Sequence, residues 1–347
     1  MQPDLTVRRM KLLVTGGAGF IGSEFVRAAL TDRLPGLAGA AVTVLDRLTY
    51  SGNHANLAPV ADSPRLRFAH GDICDPRLLM DVVPGHDAVV HFAAETHVDR
   101  SLIAAERFVR TNVLGTQMLL EAAHRHGVGQ FLHVSTDEVY GSIAAGSWSE
   151  SAPLAPTMPY AATKAAADLL VLAHHRVHGL DVVVTRSTNN YGPYQFPEKL
   201  IPLFVTNLLD GHPVPLYGDG RHVRDWLHVS DHCRALALIL RSGRAGQIYH
   251  IGGDTELTNL ELTERLLAAC GADWDSVDFV QDRPAHDRRY SLDITRIREE
   301  LGYQHRIGIA EGLAATVAWY RDNRAWWEPL KPAANAGLGP RPALSAG

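Results

Sequence analysis

Lys11-Leu-Leu-Val-Thr-Gly-Gly-Ala-Gly-Phe-Ile-Gly22 reads as an apolar strand running into a GxxGxxG turn that opens a helix. Glycine allows the tight turn and lets backbone N–H groups approach a pyrophosphate at the helix N-terminus, where the macrodipole favours negative charge. A glycine turn alone is common punctuation, so its context decides. Downstream, Val42-Thr-Val-Leu-Asp46, Leu66–His70, Asp87–Phe92, Gln130–Ser135 and Asp181–Arg186 also read as strands. They are apolar without alternation, as expected where helices cover both faces of a parallel sheet. Helix-length segments lie between them, notably Ser101–His126 and Tyr160–His178. The expectation is an α/β fold, a Rossmann-type doubly wound parallel sheet over residues 11–190 to which later segments return. Residues 191–330, with short strands at Val214–Tyr217 and Ile248–Ile251 and dense Pro and Gly, read as a smaller C-terminal α/β substrate lobe. Residues 1–10 read as a flexible leader in which Met10 is a second possible start, and 331–347 as a flexible tail.

Composition narrows the function. The chain has 347 residues, 46% of them hydrophobic, with 33 Lys and Arg against 38 Asp and Glu. A net charge of -5 leaves no basic excess to neutralise a nucleic-acid backbone. No apolar run approaches the ~20 residues of a membrane span. Cys74, Cys233 and Cys270 are widely separated and form neither a disulfide framework nor a CxxC pair, which fits a reducing cytoplasm. At the end of the second strand, Asp46 is placed to accept ribose hydroxyls and repel a 2′-phosphate, favouring NAD over NADP, with Arg47 beside it as a tempering cation. Asp72 and Ile73, after the third strand, are placed to meet the adenine.

Tyr160-Ala-Ala-Thr-Lys164 puts a phenol and an ammonium one helical turn apart. The cation would lower the phenol from its ordinary ~10 and make it a base for a hydroxyl proton. With the glycine turn and Ser135-Thr136 at a strand end, these residues resemble the extended short-chain dehydrogenase/reductases. Thr136-Asp137-Glu138 then sets two carboxyls side by side, which is either a solvated acidic turn or an acid and base pair able to eliminate water. Asp46–Asn53, Ala93–Ser101, Asn189–Pro202, Arg224–Val229 and Arg283–Tyr290 are similar to the dTDP-glucose 4,6-dehydratase family over about Lys11–Trp327. Departures are Thr96 for the usual Ser, Ala285 for the usual Gly, and a less Ser-rich Tyr160–Lys164 segment.

The resemblance implies an oxidation, elimination and reduction with no net redox change, and a tightly bound NAD regenerated in each turnover. Tyr160 would take the proton of the sugar 4-hydroxyl, with Thr136 hydrogen-bonding that oxygen and Lys164 supporting the phenol. Glu138 would remove the hydrogen at carbon 5, and Asp137 would protonate the departing 6-oxygen. For NAD it implies Gly16, Gly19, Phe20, Ile21 and Gly22 at the turn, and Asp46, Leu48 and Thr49 after the second strand. Asp72, Ile73, Ala93, Ala94, Thr111 and Asn190 complete that set together with Tyr160 and Lys164. For dTDP-glucose it implies Thr96, Thr136, Asn189 and Asn259 around the sugar or phosphate. Lys199, Arg224, Arg283 and His286 would surround the pyrophosphate, with Leu200, Pro215 and Tyr217 near the base. Any one of these charges alone reads equally well as a solvated surface group.

Among 18 histidines, His228 with His232 and His174 with His178 have i, i+4 spacing, but no HExxH or cysteine accompanies them and no metal is expected. The family pairs as homodimers through a four-helix bundle, here drawn from Ser101–His126 and Tyr160–His178. The competing readings are a sugar-nucleotide 4-epimerase, a dehydratase of another nucleotide sugar, and a non-catalytic NAD-binding regulator.

Overall fold

The computed structural model describes residues 9–283 and 285–335. The first six strands are β1 (Lys11–Thr15), β2 (Ala41–Asp46), β3 (Leu66–His70), β4 (Ala88–His91), β5 (Gln130–Thr136) and β6 (Val182–Ser187). They are followed by β7 (Asn189–Tyr191), β8 (Val214–Tyr217), β9 (Val223–His228), β10 (Ile248–Ile251), β11 (Glu256–Thr258) and β12 (Val277–Val280). Seven of them form one sheet in the order β10-β6-β5-β4-β1-β2-β3, every neighbouring pair parallel. The order reverses between β1 and β4. That switch point opens a crevice at the carboxyl ends of the strands, where such sheets bind their ligands.

Residues of β1 show why the strands lack polar alternation. Leu12 and Val14 join one core with Phe25, Val26 and Ala29 of α1 (Phe20–Leu30), while Leu13 joins the opposite core. Period-2 geometry sends neighbours to opposite faces, and both faces are covered.

Ser101–His126 is not one helix. After α2 (Pro76–Val82) come α3 (Val98–Ile103), α4 (Ala105–Phe108), a π-helical turn Val109–Gly115 and α5 (Thr116–Arg125). The cause is long-range. Asn112, in the π turn, accepts from the Glu95 N–H at 2.8 Å, and its amide donates to Glu95 O and to Thr163 Oγ1, each at 3.0 Å. Thr163 belongs to α6 (Pro159–His178), which matches the expected helix within one residue.

Ile248–Ile251, read as a lobe strand, instead closes the large sheet beside β6. Its residues are apolar enough to be buried on both faces, and only the tertiary pairing tells the two uses apart. The other late strands make a three-stranded sheet, β11-β9-β7, and a two-stranded one, β12-β8. A separate core lies there, with Tyr191, Phe204, Trp226, Leu262 and Trp327 buried together. The tail read from Lys331 onward begins as helix, Lys331–Asn335, docked where Lys331 Nζ meets Asp210 at 2.7 Å. Residues 336–347, and 1–8 of the leader, lie outside the described residues.

Candidate active site

A cavity of about 310 Å³ runs along the crevice from the glycine turn to Tyr160. Gly16, Gly19, Phe20, Ile21, Gly22, Asp46, Thr49, Asp72, Ile73, Ala93, Ala94, Thr111 and Asn190 all line it. So do Thr96, Thr136, Asp137, Tyr160 and Lys164. A second cavity of about 190 Å³ joins it, lined by Leu200, Pro215, Tyr217, Arg224, Asn259, Arg283 and His286. Glu138, Asn189, Asn190 and Lys199 belong to both walls and mark the junction. Of the residues expected in the site, only Leu48 stands off the walls. Its φ of +53° turns its N–H back to Asp46 Oδ1 at 2.8 Å.

The glycine turn fits a dinucleotide. Gly16 has φ +70°, and a Cβ on it would lie 2.6 Å from Ala93 N; one on Gly22 would lie 2.3 Å from Gly16 O. Neither position tolerates a side chain, so backbone stays exposed at the mouth of α1. Asp46 is held by backbone N–H groups, Ala18 on Oδ2 at 2.9 Å and Leu48 on Oδ1, and each oxygen keeps a further lone pair for a hydroxyl. Arg47 turns away from this carboxylate to Asp72 at 2.7 Å. The cation that tempered the NAD reading is therefore already paired.

At the other end, β5 stops at Thr136, whose Oγ1 caps the following turn by accepting from Glu138 N at 3.3 Å. The turn drives Asp137 and Glu138 into the junction rather than into solvent. Burial is the main force raising both carboxyls. Glu138 pushes Asp137 further up, to about 8, while Arg224 lowers both carboxyls and Lys199 draws the still raised Glu138 back down. Asp137 Oδ2 has no hydrogen-bond partner among the described residues. The acidic turn is thus not the solvated one.

One expectation fails. The Tyr160 phenol is pushed well above its ordinary value, by burial first and then by Glu138 and Asp137, against a hydrogen bond from Thr136. Lys164 Nζ donates to Val134 O at 2.8 Å, and burial brings the ammonium itself down to about 8 against the pull of Asp168. Helical spacing gave the right neighbours, but the dielectric around them is a tertiary property. Asp168 is fully buried one turn beyond Lys164, bonded to Arg186 Nε at 2.8 Å.

The cations of the second cavity are anchored. Arg224 donates to Val223 O and Asp287 O and lies 4.3 Å from the centre of the Tyr290 ring. Arg283 pairs with Asp99 at 2.7 Å, and Lys199 donates to Thr96 O at 3.0 Å. His286 bonds Asp282 at 2.7 Å and stacks on His222 with ring centres 3.8 Å apart. These three have the donor types of a cation site, a grouping that sequence spacing did not suggest. Of the spaced pairs, His232 instead holds Asn190 Oδ1 at 2.9 Å. The sequence reading also passed over Glu198, Gln195 and Phe196 on the first wall and Asp287 and Tyr290 on the second. Glu198 and Asp287 sit inside motifs quoted above but carry no local signal of their own.

The model of the GDP-mannose 4,6 dehydratase family matches residues 13–316. A dTDP-glucose 4,6-dehydratase of Streptomyces niveus is 69% identical over 93% of this chain and 96% of its own length. The crystal structure of a dTDP-glucose 4,6-dehydratase from Streptomyces venezuelae, solved with NAD bound, superposes with a TM-score of 0.91. It is 64% identical over 92% of this chain and all of the other. A UDP-glucose 4-epimerase from Thermotoga maritima superposes at 0.84 with 31% identity, over 91% of this chain and all of its own.

Proposed function

This chain belongs to the GDP-mannose 4,6 dehydratase family, and from that premise we propose that it is a dTDP-glucose 4,6-dehydratase, converting dTDP-glucose to dTDP-4-keto-6-deoxyglucose and water. The observation that carries this reading is the adjacent Asp137 and Glu138 lining one cavity with Tyr160, the Asp137 carboxyl buried and raised to about 8 and Glu138 drawn down by Lys199 and Arg224. An acid that holds its proton at neutral pH beside a base that cations stabilise is what elimination across two carbons requires. A 4-epimerase has no leaving group to protonate and no use for such a pair.

Tyr160 takes the 4-hydroxyl proton while Thr136 donates a hydrogen bond to that oxygen. NAD, held along the glycine turn, Asp46 and Asn190, supplies the hydride acceptor, its return, and a positive charge that favours the phenolate. Asp137 carries its own proton, so its part in raising the phenol is removed. Glu138 takes the proton from carbon 5, made acidic by the 4-ketone. Asp137 gives its proton to the 6-oxygen, which leaves as water, and Glu138 then returns a proton to carbon 5. Arg224, Arg283, Lys199 and His286 bind the pyrophosphate through charge-assisted hydrogen bonds. Residues 11–190 mainly hold the dinucleotide and 191–330 the sugar nucleotide.

We also infer a homodimer joined through a four-helix bundle of the segments around α5 and α6. Leu102 and Ile103 of α3, Val109 and Leu114 of the π turn before α5, and Leu169 and Val177 of α6 stand exposed, apolar surface that a second copy would cover. Light scattering at the monomer mass would refute it. No helix among the described residues is long and apolar enough to cross a membrane, and all three cysteines are free thiols, which supports a cytoplasmic location.

The test is incubation with dTDP-glucose and no added cofactor, following loss of one water by mass and the alkali-induced absorbance of a 4-keto sugar. Product formation establishes reaction, nucleotide and retained NAD together. Product only on adding NAD removes the retained-cofactor claim. Absence of product with NAD bound overturns the reading.

A further inference from the structure

Tyr50 and Glu198 come from loops 148 positions apart, yet Tyr50 Oη donates to Glu198 Oε1 at 2.9 Å. Tyr50 lies in the loop after β2, between Thr49 and the Ser51-Gly52 pair that line the cofactor cavity. Glu198 lies just before α7 (Leu200–Leu209) and, like its neighbour Lys199, lines both cavities. Its side chain is only 1% exposed. A buried carboxylate is costly unless partnered, and its partners here come from two separate segments, the loop after β2 and the start of α3.

Arg100 of α3 stacks on the Tyr50 ring at 3.8 Å and reaches to 3.6 Å from Glu198 Oε2. Phe196 meets the ring edge-on, with centres 5.5 Å apart. His97 Nε2 also stands 3.6 Å from Oε2. Oε2 has no hydrogen-bond partner among the described residues, so two donors wait within a small movement of an acceptor still to be satisfied. The phenol is therefore held on one face by Arg100, edge-on by Phe196 and at its tip by Glu198, beside the wall of the cofactor cavity that Thr49, Ser51 and Gly52 line.

Resting on the reading that NAD stays bound through turnover, we propose that Tyr50 and Glu198 form a clasp that retains the dinucleotide, with Arg100 positioning the phenol. A reaction that removes a hydride from the sugar and gives it back leaves a half-reacted sugar stranded if the cofactor departs between the two steps. Retention is thus part of the chemistry. Glu198 adjoins Lys199 at the junction, so a sugar nucleotide seated there stiffens the same segment that closes the clasp.

The test compares wild type, Tyr50→Phe and Glu198→Gln, purified without added NAD. Bound NAD is measured after acid release, and its dissociation rate with a NAD-hydrolysing enzyme as trap. Wild type retains NAD, while Tyr50→Phe, which deletes one oxygen and leaves the ring packed, loses it about tenfold faster. Added NAD restores the lost turnover, which damage to the fold would not allow. Glu198→Gln loses NAD faster still, and if it fails to fold, Tyr50→Phe carries the test alone. Wild-type dissociation rates in a folded Tyr50→Phe overturn the clasp. A wild type that purifies without NAD overturns the retained-cofactor reading instead.

Discussion

Replacing Asp137 with Asn tests the acid directly, through stability rather than turnover. Asn keeps the shape and can still accept from Thr136 Oγ1, which lies 3.2 Å from Asp137 Oδ1. In the folded protein the Asp137 carboxyl is raised from 3.8 to about 8. Between those values the native state holds one proton that the unfolded chain has lost. Each pH unit in that window therefore lowers wild-type stability by about 1.4 kcal/mol relative to a variant with no proton to hold. The benefit of the neutral acid is complete below the unfolded value and gone once pH has risen through the folded one. From pH 5 to pH 7 the stability of Asp137→Asn should gain roughly 3 kcal/mol on wild type, levelling off near pH 8. Urea unfolding at several pH values, with both proteins in the same buffers, measures the difference and cancels the titrating groups that do not interact with Asp137. Parallel curves would show that Asp137 is ionised in the native state, and its role as proton donor would fall.

Tyr160→Phe removes the hydroxyl that exchanges a proton with the sugar, so turnover should drop by about 10²–10⁴-fold while circular dichroism and NAD content stay unchanged; retained activity would refute the assignment. Asp168→Ala strips the buried Arg186 of its partner and should cost about 3–5 kcal/mol in urea unfolding, against a loss under 1 kcal/mol if the pair is immaterial. Ala285 adopts φ +51°, a conformation that costs any residue with a Cβ. Ala285→Gly should therefore raise stability by roughly 0.5–1 kcal/mol after the extra entropy of glycine in the unfolded chain is subtracted, and a lower midpoint would mean that the turn is unstrained.

The dinucleotide half was legible because its signals are local. Strand periodicity collapses when both faces are covered, and the glycine turn announces itself at Gly16 and Gly22. The interrupted helix was not, since residues 104–115 keep ordinary helix propensity and the break is imposed by the Asn112 side chain on Glu95 and Thr163. Asp137 and Glu138 could be suspected from adjacency, but which one keeps its proton depends on groups such as Lys199, 61 positions beyond Glu138. The behaviour of the Tyr160 phenol was misread for the same reason, because spacing fixes neighbours and not the loss of water around them. Tyr50 and Glu198 pair across the fold, and nothing within either loop foretells the other.

The Arg47–Asp72 pair has an evolutionary consequence. A point mutation that removes the Asp46 carboxylate would lift the repulsion of a 2′-phosphate without creating a receptor for it, because Arg47 remains committed to Asp72 Oδ2. Releasing Arg47 by changing Asp72 sacrifices the contact of Asp72 Oδ1 with Cys74 N at 2.9 Å and loosens the adenine end of the groove. Either single step is a loss, so the path from one dinucleotide to the other crosses a fitness valley. Changing the cofactor preference therefore calls for at least two coordinated substitutions, one at Asp46 and one that frees Arg47.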